Sequence, residues 1–134
     1  MSFLQKIALV LESDGEVSRA VTVYLDTLDF HCICISNYKS IMSLLPTMKC
    51  EPNLIIIGDF FDRLLKYEDV SDSVRQRCGD VPTIVLTEDA STAARKRAEA
   101  AGCCCMSKPV SPRILYSIID TLTQSGAFEN SRAT

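Results

Sequence analysis

Four short stretches carry the side chains able to do chemistry: Glu12-Ser13-Asp14-Gly15-Glu16, Gly58-Asp59, Thr87-Glu88-Asp89 and Ser107-Lys108-Pro109. They supply carboxylates, hydroxyls and one ammonium. Oxygen donors of this kind suit a hard divalent cation, and a hydroxyl with an ammonium suits an oxyanion. Whether they act together depends on the elements that carry them.

The cysteines are the other conspicuous feature, and their spacing argues against chemistry. Cys103, Cys104 and Cys105 are consecutive, so in a strand the first and third share one face and the second points to the other. They cannot all ligate one metal, and neither Cys32-Ile33-Cys34 nor the lone His31 provides the paired spacing of a zinc site. We read the triplet as buried strand filler, since a free cysteine packs as a small hydrophobe. None of the seven cysteines is followed at the sixth position by the arginine of a cysteine-based phosphatase. There is no glycine-rich nucleotide loop, and the acidic turn after Leu11 would repel a flavin phosphate.

The elements follow from hydrophobic patterning. Strand-length apolar runs begin near Lys6 (KIALVL), His31 (HCICIS), Leu54 (LIIIG), Thr83 (TIVL) and Cys103 (CCCMS). Several are apolar at every position, as in parallel strands covered on both faces. Between them lie helical stripes: Val17, Val21, Tyr24, Leu25 and Leu28; Ile41, Leu44, Leu45 and Met48; Val70, Val74 and Cys78. A fourth helix starts near Ser91, carries Ala94, Ala98 and Ala101 on its inner face, and stops at Gly102. The fifth has Ser111 as cap, Pro112 in its first turn, and Leu115, Ile118, Ile119 and Leu122 as its stripe. Five strand-then-helix repeats predict an α/β fold, a doubly wound five-stranded parallel sheet of flavodoxin-like order. We expect one domain over residues 1–124 and a flexible tail or linker start over 125–134. In such sheets functional groups collect outside the carboxyl ends of the strands, where all four chemical stretches fall.

Bulk properties narrow the classes. The chain has 134 residues, 47% apolar and 23% charged, with a net charge of −3. Acids and bases are interspersed, so direct nucleic-acid binding is not expected. No apolar run is long enough to span a bilayer, and no signal-peptide pattern opens the chain. An odd number of cysteines in a chain of this size fits reduced thiols and a cytoplasmic setting.

With Glu12, Asp59, Thr87 and Lys108-Pro109 at the ends of the first, third, fourth and fifth strands, the chain resembles the receiver domains of response regulators in two-component signalling. The resemblance runs from Lys6 to about Leu122. It implies that Asp59 is the phospho-acceptor, that Glu12 and Asp59 bind Mg²⁺ with the backbone carbonyl of Phe61, and that Asp14 is a lesser candidate ligand. Thr87 and Lys108 would meet the phosphoryl oxygens. It also implies a histidine kinase or phosphotransfer protein as donor, a downstream protein partner, homodimerisation through the face that includes the last helix, and a switch more than an enzyme.

Four positions depart from the family pattern. Ser13 stands where a second acidic metal ligand is usual, which weakens Mg²⁺ binding. Glu88 replaces a small residue at the entrance for the phosphodonor. FFDRLLKYED follows Asp59 in place of the usual turn, and Cys105 occupies an aromatic position. These point to an atypical receiver, with a pseudo-receiver that binds protein without phosphorylation as the alternative. In that alternative Asp59 would be a structural partner of Lys108, and Glu12, Asp14 and Glu16 an acidic turn that starts a helix. The basic outer face Arg95-Lys96-Arg97 would suit an acidic partner or simply face solvent.

Overall fold

A computed structural model describes residues 6–124. The elements run β1 (Lys6–Leu11), α1 (Gly15–Asp26), β2 (Phe30–Ile35), α2 (Tyr38–Leu44), β3 (Leu54–Gly58), α3 (Tyr67–Cys78), β4 (Thr83–Thr87), α4 (Thr92–Ala100), β5 (Cys104–Ser107) and α5 (Pro112–Gln124). All strand pairs are parallel, and the sheet order is β2-β1-β3-β4-β5. This is the doubly wound, flavodoxin-like architecture expected from the patterning. The tail assigned to 125–134 lies outside the described residues.

Position in the sheet explains the strand compositions. β3 and β4 are interior, and every residue of both is buried. A strand with helices on both faces must be apolar on both, hence Leu54-Ile55-Ile56-Ile57. Alternate side chains divide between two layers. Leu9, Leu11, Ile55, Ile57 and Val85 pack with Ile41 of α2, Val70 and Val74 of α3 and Ala98 of α4. On the other face Ala8, Val10, Ile56, Ile84 and Leu86 meet Val21 and Leu25 of α1 and Leu115 and Ile119 of α5.

Local chemistry sets the boundaries. Asn37 and Ser91 cap α2 and α4, accepting from the N–H groups of Ser40 and Ala94 at 2.8 and 3.1 Å. Ser111 accepts from Ile114 N–H at 3.3 Å, at the start of α5 where the sequence places its cap. The stripe drawn through Met48 overruns α2, which ends at Leu44 and gives way to a 3₁₀ turn, Leu45–Thr47. Pro46 has no N–H with which to continue the α-helical ladder.

At the other end of α4, Gly102 adopts φ +75° and its N–H bonds Glu99 O, while Cys103 N–H reaches Ala98 O. This Schellman arrangement withdraws Cys103 from the ladder, so β5 starts one residue later than its apolar run. Gly102→Ala should destabilise the fold by about 1 kcal/mol, because an L-residue is strained at positive φ. A Cβ there would also lie 3.2 Å from Arg75 Nη1. Urea unfolding of the two proteins measures the difference.

The cysteine triplet is only partly the filler expected. Cys103 is buried and Cys105 half-buried in the same layer, as alternation requires, but Cys104 is exposed. β5 is an edge strand, and its other face is incompletely covered at that residue.

Candidate functional site at the carboxyl edge of the sheet

Four neighbouring strands, in sheet order β1, β3, β4 and β5, deliver Glu12, Asp59, Thr87 and Lys108 to one edge. Thr87 closes β4, and backbone hydrogen bonds hold the other three just past their strands. Glu12 N–H donates to Ile35 O at 3.1 Å, Asp59 N–H to Leu86 O at 2.9 Å, and Lys108 N–H to Thr87 O at 2.8 Å. The Lys108-Pro109 peptide is cis.

Lys108 does not pair with Asp59. Its Nζ lies 3.1 Å from Glu12 Oε1, although three strand spacings of ~4.8 Å separate the strands that carry them. Two long side chains, each extended toward the other, span that gap only by meeting over the end of β3. Glu12 is buried, 4% exposed, and its Oε2 accepts Asp14 N–H at 3.1 Å. Oε1 has the ammonium nearby but no aligned hydrogen-bond donor.

Gly58 makes this placement possible. A Cβ there would sit 2.6 Å from Glu12 Oε1 and 3.0 Å from Cδ. The carboxylate therefore rests on bare backbone immediately before Asp59. Asp59 is half-buried, and its Oδ1 is buried without a hydrogen-bond partner. Thr87 is 5% exposed and its Oγ1 accepts Asp89 N–H at 3.0 Å, leaving the hydroxyl proton to donate elsewhere.

The remaining candidates also have structural roles. Asp14 is the N-cap of α1, its Oδ1 accepting Glu16 N–H at 2.9 Å and Val17 N–H at 3.4 Å, and Glu16 lies in the first turn. The acidic turn is thus a helix start as well as a source of Glu12. Ser13 is exposed. Phe61 N–H closes a turn onto Gly58 O at 3.1 Å and its ring lies in the core, 4% exposed. The aromatic residue lining the site beside Asp59 is instead Phe60, 75% exposed. Among the described residues no group of three or more acidic, histidine or cysteine side chains is arranged to hold a metal ion. The donor set is therefore two carboxylates, Glu12 and Asp59, with Glu12 already beside an ammonium. That fits Mg²⁺, which keeps several waters and takes one or two protein carboxylates, but with few protein ligands.

A cavity of about 340 Å³ opens from Asp59 and Thr87 toward α4, with Glu88 and Asp89 also lining it. Its far side is built by residues that local patterning does not single out. Arg97 of α4 pairs with Glu68 of α3 through Nε and, at 2.6 Å, through Nη2 to Oε1. Its guanidinium also lies 4.7 Å from the centroid of the Tyr67 ring. The pair holds the Glu68 carboxyl below the usual carboxylate range. Of Arg95-Lys96-Arg97, read above as one outer face, Arg97 turns into this clasp. The only available signal was an arginine three residues after the half-buried Ala94.

Burial, reinforced by the nearby Glu68 charge, pushes the Tyr67 phenol up to about 12. An unfolded tyrosine ionises near ~10, so below that pH the native preference for the neutral phenol contributes in full. Stability should fall as pH rises from about 10 to 12. Tyr67→Phe should remove that part of the slope in urea unfolding, and a spectroscopic titration should show one tyrosine ionising late.

No sequence-family profile matches the chain, and no curated protein does. Solved structures match its fold across nearly its whole length. A CheY-like response regulator receiver domain protein from Methanospirillum hungatei superposes with a TM-score of 0.75 at 14% identity, covering 97% of this chain and 98% of its own. A two-component response regulator from Clostridium difficile gives 0.77 at 15% identity, with 90% and 97% covered. A response regulator from Thermotoga maritima gives 0.75 at 17% identity, with 89% and 98% covered. At these identities the likeness is one of fold.

Proposed function

We propose that this chain is a receiver module that takes a phosphoryl group on Asp59 and passes the change to a protein partner. The observation that carries the reading is the convergence of Asp59, Glu12, Thr87 and Lys108 on one sheet edge, with the Lys108 ammonium drawn over the end of β3. The Asp59 carboxylate, half-buried and lining the cavity, supplies the attacking oxygen. It bonds to phosphorus as the donor's leaving group departs, giving an acyl phosphate. Mg²⁺ would neutralise charge on the transferring group, held by Glu12 and Asp59 with the Phe61 carbonyl as a further candidate ligand. Thr87 donates its hydroxyl proton to a phosphoryl oxygen, and Lys108 supplies the positive charge. The donor is a histidine kinase or phosphotransfer protein. The output is a shift in the faces of α4, β5 and α5, read by a downstream protein or a second copy.

Three observations favour the pseudo-receiver as a second reading: Ser13 adds no charge, Asp14 is committed to capping α1, and Glu88 is exposed at the cavity mouth. Seven free thiols suit a reducing cytoplasm for either. No described helix is long and apolar enough to cross a membrane.

Intact-mass analysis after incubation with acetyl phosphate and Mg²⁺ separates the two. A single phosphoryl adduct is expected, absent from Asp59→Asn. No adduct with acetyl phosphate or with a phosphorylated phosphotransfer protein would reject the phospho-acceptor in favour of the pseudo-receiver.

A further inference from the structure

The cavity behind Asp59 has room and chemistry beyond a phosphoryl group. Its volume, about 340 Å³, falls within the range of small-molecule pockets, and most of its wall is apolar. Short side chains create the space: Ala93, Ala94 and Cys105 face Val85, with the Phe60 and Tyr67 rings at the sides.

The charges around it are unbalanced. Arg97 lies close enough to feel Asp59, yet its guanidinium is engaged by Glu68 and stacked near Tyr67. Lys108 is engaged by Glu12. Asp59 Oδ1 is left buried with no hydrogen-bond donor, and Glu88 and Asp89 add two more carboxylates. Three carboxylates against one engaged guanidinium leave the cavity wall net negative, which favours a cation. Two aromatic rings and an apolar wall favour a cation with an organic body over a hydrated metal ion.

We propose that this cavity is a binding site for a small organic ammonium, whose charged head pairs with the half-buried Asp59 carboxylate and whose apolar body lies between Phe60, Tyr67 and the Cys105 wall. Thr87, which also lines the cavity, offers its hydroxyl as a second polar contact. Glu88, which obstructs a phosphate, here supplies attraction at the mouth. Because the ammonium occupies the carboxylate that phosphoryl transfer requires, the two ligands exclude each other.

The test uses the full chain without metal or phosphodonor, so its outcome is independent of the phosphorylation experiment. Phenethylamine is titrated by calorimetry and by amide chemical-shift mapping, with 2-phenylethanol as its neutral counterpart. The expected Kd for a ligand of this size is about 1 mM, at least tenfold tighter for the amine than for the alcohol. Shifts should centre on Thr87, Ala94 and Cys105. Asp59→Asn, nearly isosteric, should erase the preference for the amine. Cys105→Phe, which fills the cavity, should abolish binding of both, and its amide spectrum reports whether it is folded. Equal affinity for amine and alcohol, unchanged amine binding in Asp59→Asn, or shifts centred elsewhere would each overturn the proposal.

Discussion

Lys108→Met is expected to lower the unfolding free energy by about 2–3 kcal/mol, more than an ordinary surface lysine would. The Glu12 side chain is 3% exposed and Lys108 16%. Removing the ammonium leaves a carboxylate wedged over Gly58 with only the Asp14 N–H as a hydrogen-bond donor. The residual exposure of Lys108 lets water answer part of the loss, which places the effect below that of a fully enclosed pair. Glu12→Gln/Lys108→Met should recover much of it, since an amide carries no charge to strand. A double-mutant cycle in urea therefore gives a coupling above about 1 kcal/mol. Strictly additive losses would mean that the two charges do not depend on each other.

Ser13→Asp combined with Glu88→Ala should raise Mg²⁺ affinity by about tenfold or more, because the carboxylate that joins Glu12 and Asp59 outweighs the exposed anion lost at the mouth, whose removal serves the phosphodonor. The two conditions have opposite signs. Without metal, three carboxylates repel one another and the variant should melt below the parent protein. With excess Mg²⁺ it should melt above it, as a ligand bound only to the native state stabilises by mass action. Thermal melts across an Mg²⁺ titration show the crossing, and phosphorylation by acetyl phosphate should accelerate in step. Melts that never cross would place the added carboxylate out of reach of the metal.

The sheet was legible because its determinants are local. An all-apolar Leu54-Ile55-Ile56-Ile57 announces a strand covered on both faces, Ser111-Pro112 opens a helix, and Gly102 closes one. The positions of Asp59, Thr87 and Lys108 followed once the strands were placed. Side-chain reach did not. The pairing of Lys108 with Glu12 rather than Asp59 depends on two long chains meeting over a glycine, across strands that are not neighbours. The Arg97–Glu68 clasp joins two helices whose facing residues share no periodicity. Which of two adjacent phenylalanines enters the core was likewise undecided by pattern. The turn after Gly58 sends Phe61 inward and leaves Phe60 beside Asp59.

The strand order also bears on how the chain can be made. β1 takes β2 on one side and β3 on the other, and from there β4 adds to the free edge of β3 and β5 to that of β4. A chain emerging from its N-terminus therefore has a three-stranded seed once Gly58 is available, and each later strand joins an edge that already exists. No strand has to be inserted between two that have paired. The price of this directionality is that Asp59 and Glu12 are in place before Thr87 and Lys108 arrive, so the acidic edge stands without its ammonium until β5 docks.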